Sequence, residues 1–189
     1  MSMKQIPFTT ALLLVALSAC VATPDRYVVP APEVTARQTI AFQTVEISAV
    51  SLPAYAAADE ISVQDETGKL ASTGDILWAD TPSRAVALEL TRHLTRLTGA
   101  RVASTPWPFE SFPDARVEVR FETLVARSDG SMRAAGQYFV AATNGGRERT
   151  GLFDLTAPFD PDGGPPAIAA ARGQVILELA TTLARSGLR

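Results

Sequence analysis

The sequence predicts an α+β protein, a two-layer sandwich in which two main helices pack on one mostly antiparallel sheet. Three observations lead to this prediction. Polar and apolar residues alternate over residues 116–122, turn-forming residues stand at 128–131 and 144–146, and two segments carry apolar residues at helical spacing.

The alternating segment predicts a strand with one face in the core and one in water. The residues expected to face the core are Val117, Val119, Phe121, Thr123 and Val125. Two further strands, at 132–143 and from 147 to about 156, are expected to follow as an antiparallel meander, with Tyr138 and Phe139 on opposite faces.

Shorter strands are predicted earlier in the chain. Residues 39–51 alternate in the same way, and Pro53 ends this strand because proline cannot donate a ladder hydrogen bond. A hairpin turning at Gly68 is expected to join strands at 60–64 and 69–72, with a separate short strand at 75–78.

The first predicted helix begins after Thr81, a candidate N-cap, has Pro82 in its first turn and ends at Gly99. Its apolar stripe consists of Val86, Leu90, Leu94 and Leu97. The second predicted helix spans 167–186 and ends at Gly187. Its apolar face consists of Ile168, Ala171, Val175, Leu179 and Leu183.

The amino terminus has the features of a secretory signal: Lys4, an apolar run at 8–17, and small residues before the single cysteine, Cys20. Leu-Ser-Ala-Cys at 17–20 is similar to the lipobox of bacterial lipoproteins, which implies cleavage before Cys20 and acylation of its thiol. We therefore expect a signal peptide at 1–19, a lipidated linker at 20–38 and a domain at 39–189. The alternative is a plain exported protein with a chance cysteine near its cleavage site.

The charge balance argues against a nucleic-acid partner. The formal net charge is −3, and the arginines are scattered, whereas nucleic-acid binding needs a concentrated basic face. No polybasic run suits anionic lipid headgroups, and no apolar stretch after Cys20 is expected to reach membrane-spanning length.

No enzyme motif is evident in the sequence. His93, the sole histidine, is expected to be a half-covered residue at the border of the helix stripe rather than a general base. One cysteine and one histidine do not make a zinc site, and residues 160–164 lack the later ligands of a calcium loop. Glu118 and Glu122 alternate with arginines, which favours cross-strand surface pairing over carboxylate catalysis. We expect no cofactor and no catalytic or metal site.

Five segments, in this order, resemble the ABC-type transport auxiliary lipoproteins, a PqiC-like group of the Gram-negative envelope. They are Arg-Tyr-Val-Val at 26–29, Val-Ser-Leu-Pro-Ala-Tyr at 50–55, Trp-Ala-Asp-Thr-Pro at 78–82, Pro-Trp-Pro at 106–108 and Val-Glu-Val-Arg-Phe-Glu at 117–122. The chain departs from the family pattern at 56–60, where a leucine and an arginine-proline pair are common, and at Leu77, where a basic residue is common.

The resemblance implies a non-catalytic accessory lipoprotein. Its relatives serve ABC-linked systems with MCE-domain proteins, which are thought to carry lipids between the inner and outer membranes and to support envelope integrity. Val21 stands where an aspartate would favour inner-membrane retention. The resemblance therefore implies a lipid anchor that contains palmitate and lies in the outer membrane, and a domain that faces the periplasm.

Aromatic residues are the candidate contacts for an MCE-domain partner. The loop at 104–114 contains Trp107, Phe109 and Phe112 between three prolines, and stiff aromatic side chains make good interface anchors. Tyr55 and Trp78, from the resembling segments, complete the set. The loop could instead cover an edge of the core.

A different class of function also stays open, an envelope-anchored protein that binds a small lipid or glycan. A buried apolar pocket would favour that class, and an exposed aromatic patch would favour docking.

Overall fold

The computed structural model describes residues 23–143, 145–146 and 148–189. The strands are β1 (Asp25–Tyr27), β2 (Thr44–Ser51), β3 (Glu60–Gln64), β4 (Leu70–Trp78), β5 (Arg101–Ser104), β6 (Ala115–Arg127), β7 (Ser131–Ala142) and β8 (Arg149–Pro158). The helices are α1 (Ala54–Ala57), α2 (Pro82–Thr98) and α3 (Gly164–Thr182), with a 3-10 turn at Pro161–Gly163 and a π-helical turn at Leu183–Gly187.

All eight strands form one mixed sheet around β6. On one side β6 pairs with β7 along its length, and β7 pairs with β8, which gives the antiparallel meander expected from the sequence. On its other side β6 pairs in parallel with β2 near its start and with β3 near its end. Strand β5 extends the sheet from β2, and β4 and β1 extend it from β3. The predicted α+β sandwich is confirmed, although the parallel pairings were not foreseen.

Both long helices cover the same face of the sheet. Helix α2 contacts β2 and β5, α3 contacts β7 and β8, and the two helices contact each other. The predicted stripes are correct, because Val86, Leu90 and Leu94 on α2 and Val175 and Leu179 on α3 are all fully buried. Helix α2 ends at Gly99, whose φ of 73° is the left-handed conformation that glycine adopts without strain.

A β-bulge in β6 changes which residues face the core. The pairing with β7 skips one residue between Phe121 and Thr123, so the alternation shifts by one position. Val117, Val119 and Phe121 join the main core cluster as predicted, and beyond the bulge Leu124 and Ala126 join it. Val125 is buried as predicted but lies outside that cluster, and Thr123 is not buried.

The segment after β1 differs from the predicted linker. Its residues Val29 and Val34 pack against the core, and the amide of Gln38 donates to the carbonyl of Leu97 at 2.7 Å. The amide of Ala41 likewise donates to the carbonyl of Leu188 at 2.8 Å. Residues 25–43 therefore wrap around the domain, and the ordered fold begins well before Thr39.

One helical stretch, Pro161–Gly187, is long and apolar enough to cross a membrane, contrary to the expectation that none after Cys20 would be. Within it, 61% of the most apolar window is buried inside the protein. This stretch contains α3, which packs on β7 and β8. We therefore assign it to the core of the domain.

Candidate functional site

The structure divides the predicted contact residues into two groups. Tyr55 and Trp78 lie near the start of α2, whereas Trp107, Phe109 and Phe112 lie in the loop after β5, beyond the end of α2. Helix α2 has 17 residues and is roughly 25 Å long, and Phe109 contacts Arg101 just past its end, so the two groups lie toward opposite ends of the helix. Cys20 lies outside the described residues.

The aromatic loop, residues 105–113, is fixed at both ends. At its start the amide of Thr105 donates to the carbonyl of Ile47 at 3.0 Å. Just beyond its end, the Asp114 carboxylate accepts hydrogen bonds from the amides of Gln43 and Thr44 at 3.0 and 2.9 Å. The Thr143 hydroxyl donates to the carbonyl of Pro113. These bonds hold the loop against β2 and β7.

Inside the loop the aromatic rings support one another. The Trp107 indole N–H donates to the carbonyl of Ser111 at 2.6 Å. Its ring meets that of Phe109 edge-on, with centroids 4.9 Å apart, and the Arg101 guanidinium lies 5.1 Å from the centre of Phe109. Phe112 is 81% exposed and Phe109 40% exposed. None of the three aromatic side chains belongs to the buried core, so the loop presents apolar rings to solvent.

Tyr55 and Trp78 have different surroundings. Trp78 is buried, and the guanidinium of Arg172 lies 4.5 Å from the centre of its ring. The Tyr55 hydroxyl accepts from the amide of Leu124 at 3.4 Å. The cavity that these two aromatic residues line has a volume of about 20 Å³, which is room for one water and not for a lipid or glycan. Trp78 also lines a wider, open groove between the residues that follow β1 and the start of α2.

Sequence reasoning missed a buried ion pair between Arg172 on α3 and Glu89 on α2. Their Nη2 and Oε1 atoms are 3.3 Å apart, and the Arg172 group also donates to the carbonyl of Pro82 at 3.4 Å. Burial raises the pKa of Glu89, while the charges of Arg172 and Arg92 oppose that shift. Burial lowers the pKa of Arg172, opposed by the charge of Glu89. The sequence does contain a signal for this buried arginine, because Arg172 is the only charged residue in the mostly apolar segment 163–177.

His93 is fully buried, not half-covered as predicted. Neither ring nitrogen has a hydrogen-bond partner among the described residues. Burial, together with the charges of Arg92 and Arg96, lowers the pKa of His93 to about 4. In the part of the chain that the structure describes, no group of three or more His, Cys, Asp or Glu side chains could hold a metal ion.

The open face of the sheet carries paired charges. Arg116 donates to Glu46 across β6 and β2 at 2.8 Å, and Arg133 binds Asp154 through two hydrogen bonds of 2.8 and 2.9 Å. Glu118 accepts from Arg120 on its own strand at 2.6 Å. Glu118 is thus in a surface ion pair, but with a residue of its own strand and not across strands as predicted.

Comparison with known proteins identifies the family. The family model for the ABC-type transport auxiliary lipoprotein component matches residues 27–184. A crystal structure of an uncharacterized protein is similar at a TM-score of 0.69 and 19% identity, over 87% of this chain and 98% of that chain. A protein from Xanthomonas campestris is similar at a TM-score of 0.59 and 16% identity, over 86% of this chain and 91% of that chain.

A PelC dodecamer from Paraburkholderia phytofirmans shares 10% identity at a TM-score of 0.44, over 84% of this chain and 95% of that chain. Among curated proteins, none matches the sequence significantly. Because the family model covers most of the sequence, this chain belongs to the ABC-type transport auxiliary lipoprotein components.

Proposed function

We propose that this protein is a non-catalytic accessory subunit of an ABC-linked lipid transport system, and that it docks to an MCE-domain protein between the inner and outer membranes. The accessory role follows from the family, and the MCE partner from the resemblance of the five sequence segments. The observation that carries the docking role is the aromatic loop: it is fixed at both ends, yet Phe112 is 81% exposed.

A rigid exposed aromatic ring suits a docking role for physical reasons. Large apolar area is removed from water on binding, and few rotamers are lost because the loop is already ordered. The Trp107–Phe109 contact and the indole hydrogen bond to Ser111 provide this order. Phe112 then extends from the ordered loop as the ring most available to a partner.

The docking experiment is affinity purification of the tagged lipoprotein from solubilised envelope, with identification of the co-purified proteins. Phe112→Ala should weaken partner binding by roughly 30-fold, the effect of losing about 2 kcal/mol at an interface hot spot. Leu152→Ala is the matched control, because Leu152 is 73% exposed on β8, away from the loop. Normal recovery of the partner with alanine at Trp107, Phe109 and Phe112 alike would contradict the proposal.

The proposed location is the outer membrane, through acyl chains on Cys20, with the domain in the periplasm. Support comes from Leu-Ser-Ala-Cys at 17–20 and from Val21 at the sorting position. Two acyl signals give stable anchoring, whereas one gives only marginal binding. Mass spectrometry of the mature N-terminus and membrane fractionation test this location. An unmodified Cys20, or a fully soluble wild-type protein, would contradict it.

A further inference from the structure

The chain has little slack between its lipid anchor and its folded domain. With Cys20 as the mature N-terminus, five residue steps lead to Asp25, where β1 begins. An extended chain covers at most about 3.6 Å per residue, so the start of β1 lies within about 18 Å of the acylated residue. A compact domain of this length is roughly 40 Å across. The tether is therefore shorter than the domain.

The segment after β1 cannot lengthen this tether without breaking native contacts. Strand β1 pairs in parallel with β4, and the Arg26 guanidinium donates to the carbonyl of Trp78 at 3.1 Å. Further along, Pro30 passes so close to α3 that a Cβ on Gly173 would stand 2.5 Å from its carbonyl oxygen. The end of the domain that carries β1 must consequently stay near the membrane surface.

A groove of about 470 Å³ opens at this end, between the residues that follow β1 and the first turns of α2. Its rim carries two exposed apolar side chains, Val28 at 74% and Leu88 at 40% exposure. Exposed single apolar residues are common on protein surfaces, but here two from separate elements flank one groove at the tethered end.

The charged side chains of the groove fit an anionic surface. Arg84 pairs with Asp80 and Arg172 pairs with Glu89. Arg92 also lines the groove and forms no ion pair with the described residues, which leaves one excess positive charge. Arginine side chains place an apolar stem beside hydrocarbon and a charge at headgroup level, so this composition suits the boundary between lipid headgroups and acyl chains.

We infer that the groove bounded by Val28, Leu88 and Arg92 is a membrane-contact surface, which rests on the lipid bilayer that holds the anchor. This inference relies on the lipidation of Cys20 in the proposed function. It also gives the aromatic loop an orientation, because Phe109 of the loop lies against Arg101, past the far end of α2, and is then turned away from the bilayer.

The test uses the lipidated full chain in vesicles of phosphatidylethanolamine and phosphatidylglycerol that contain a spin-labelled lipid quencher. Cys20 is the only cysteine, so acylation leaves Val28→Cys as the single thiol for a fluorescent label. Leu152→Cys is the matched control, since Val28 is 74% and Leu152 73% exposed. Leu88→Cys provides a second reporter on the groove.

We expect the label at Val28 to be quenched several-fold more strongly than the label at Leu152, with Leu88 in between. Equal quenching at Val28 and Leu152, stronger quenching at Leu152, or none at Val28 would overturn the inference. Mass spectrometry of the same samples separates the two proposals. Acylated Cys20 without quenching at Val28 refutes only the contact surface, whereas unmodified Cys20 refutes the anchor and, with it, this inference.

Discussion

Arg172 and Glu89 form an ion pair in which both side chains are almost fully removed from water, with relative exposures of 1% and 5%. The pair joins α3 to α2, and the Trp78 ring packs against the guanidinium. Taking two charges out of water costs several kcal/mol per ion, which their attraction offsets only while both are present. The pair therefore makes the packing of the two helices depend on two single residues.

Glu89→Ala or Arg172→Ala should each destabilise the protein by roughly 3–5 kcal/mol, because the remaining charge stays buried without its partner. Urea denaturation measures this free energy of unfolding. Arg133→Ala is the control: its pair with Asp154 has side chains 43% and 60% exposed and should contribute less than about 1 kcal/mol. The double variant Glu89→Leu with Arg172→Met should recover much of the loss. Single variants no weaker than Arg133→Ala would show that the pair does not hold the helices.

Leu90 tests the predicted apolar stripe. It is fully buried on α2 in the same cluster as Val117 on β6, so Leu90→Ala should cost roughly 2–5 kcal/mol in thermal or urea unfolding. Leu88, on the same helix but 40% exposed, supplies the comparison. Leu88→Ala should cost less than about 1 kcal/mol, since surface substitutions have small effects. Equal losses in the two variants would contradict the observed orientation of α2.

The parts of the fold that the sequence predicts correctly are those set by local periodicity. The meander of β6 to β8 and the stripe of α2 follow from alternation and helical spacing within one segment. The sequence does not predict which residues of β6 face the core beyond Phe121. Between Phe121 and Thr123 the pairing with β7 is irregular, and local alternation does not reveal this bulge.

Long-range pairing accounts for the other differences. Residues 26–29 indicate a short edge strand, and β1 is found there, but its partner β4 lies about 50 residues later and its own sequence does not specify that pairing. The same applies to the four-residue β5, which the sequence did not predict and which pairs with β2. At the candidate site, the prolines of the aromatic loop were informative, whereas the burial of Trp78 depends on Arg172 from a distant helix.

His93 should make stability depend on pH between about 6.5 and 4. Its ordinary pKa is about 6.5, and burial lowers it to about 4 in the folded protein, so the unfolded chain binds more protons in this range. Stability is therefore fully present above about 6.5 and falls as pH drops toward 4, by up to about 3 kcal/mol. His93→Leu, which fills the same space without a titrating group, should flatten this dependence in urea unfolding measured across the range.

Other carboxylates with shifted pKa values, Glu89 among them, are common to wild type and His93→Leu and do not alter the comparison. Hydrogen bonds from Thr67, Ser131 and Arg133 hold the pKa of Asp65, Asp129 and Asp154 below the ordinary value. The stability that these three carboxylates contribute is lost at lower pH than the contribution of His93. It is the same in wild type and in His93→Leu. An unchanged slope between pH 4 and 6.5 in His93→Leu would exclude His93 as the cause.

Gly173 tests the packing of the segment after β1 on α3. A methyl group there would stand 2.5 Å from the carbonyl oxygen of Pro30, a backbone atom, and 3.3 Å from a carbon of the rigid Pro32 ring. Gly173→Ala raises helix propensity, which alone would stabilise α3 by about 1 kcal/mol. Overpacking typically costs about 1–3 kcal/mol, so we expect a net loss in thermal unfolding and faster proteolysis near residue 30.

Gly74 on β4 is the control for this substitution, since no atom lies within 4 Å of its added Cβ. Gly74→Ala should change the free energy of unfolding by less than about 0.5 kcal/mol. If Gly173→Ala instead stabilises the protein by its helix propensity, the segment at 28–32 is not packed on α3. Strand β1 would still end the tether at Asp25 through its pairing with β4, so this variant tests the packing of the segment and leaves the length of the tether unchanged.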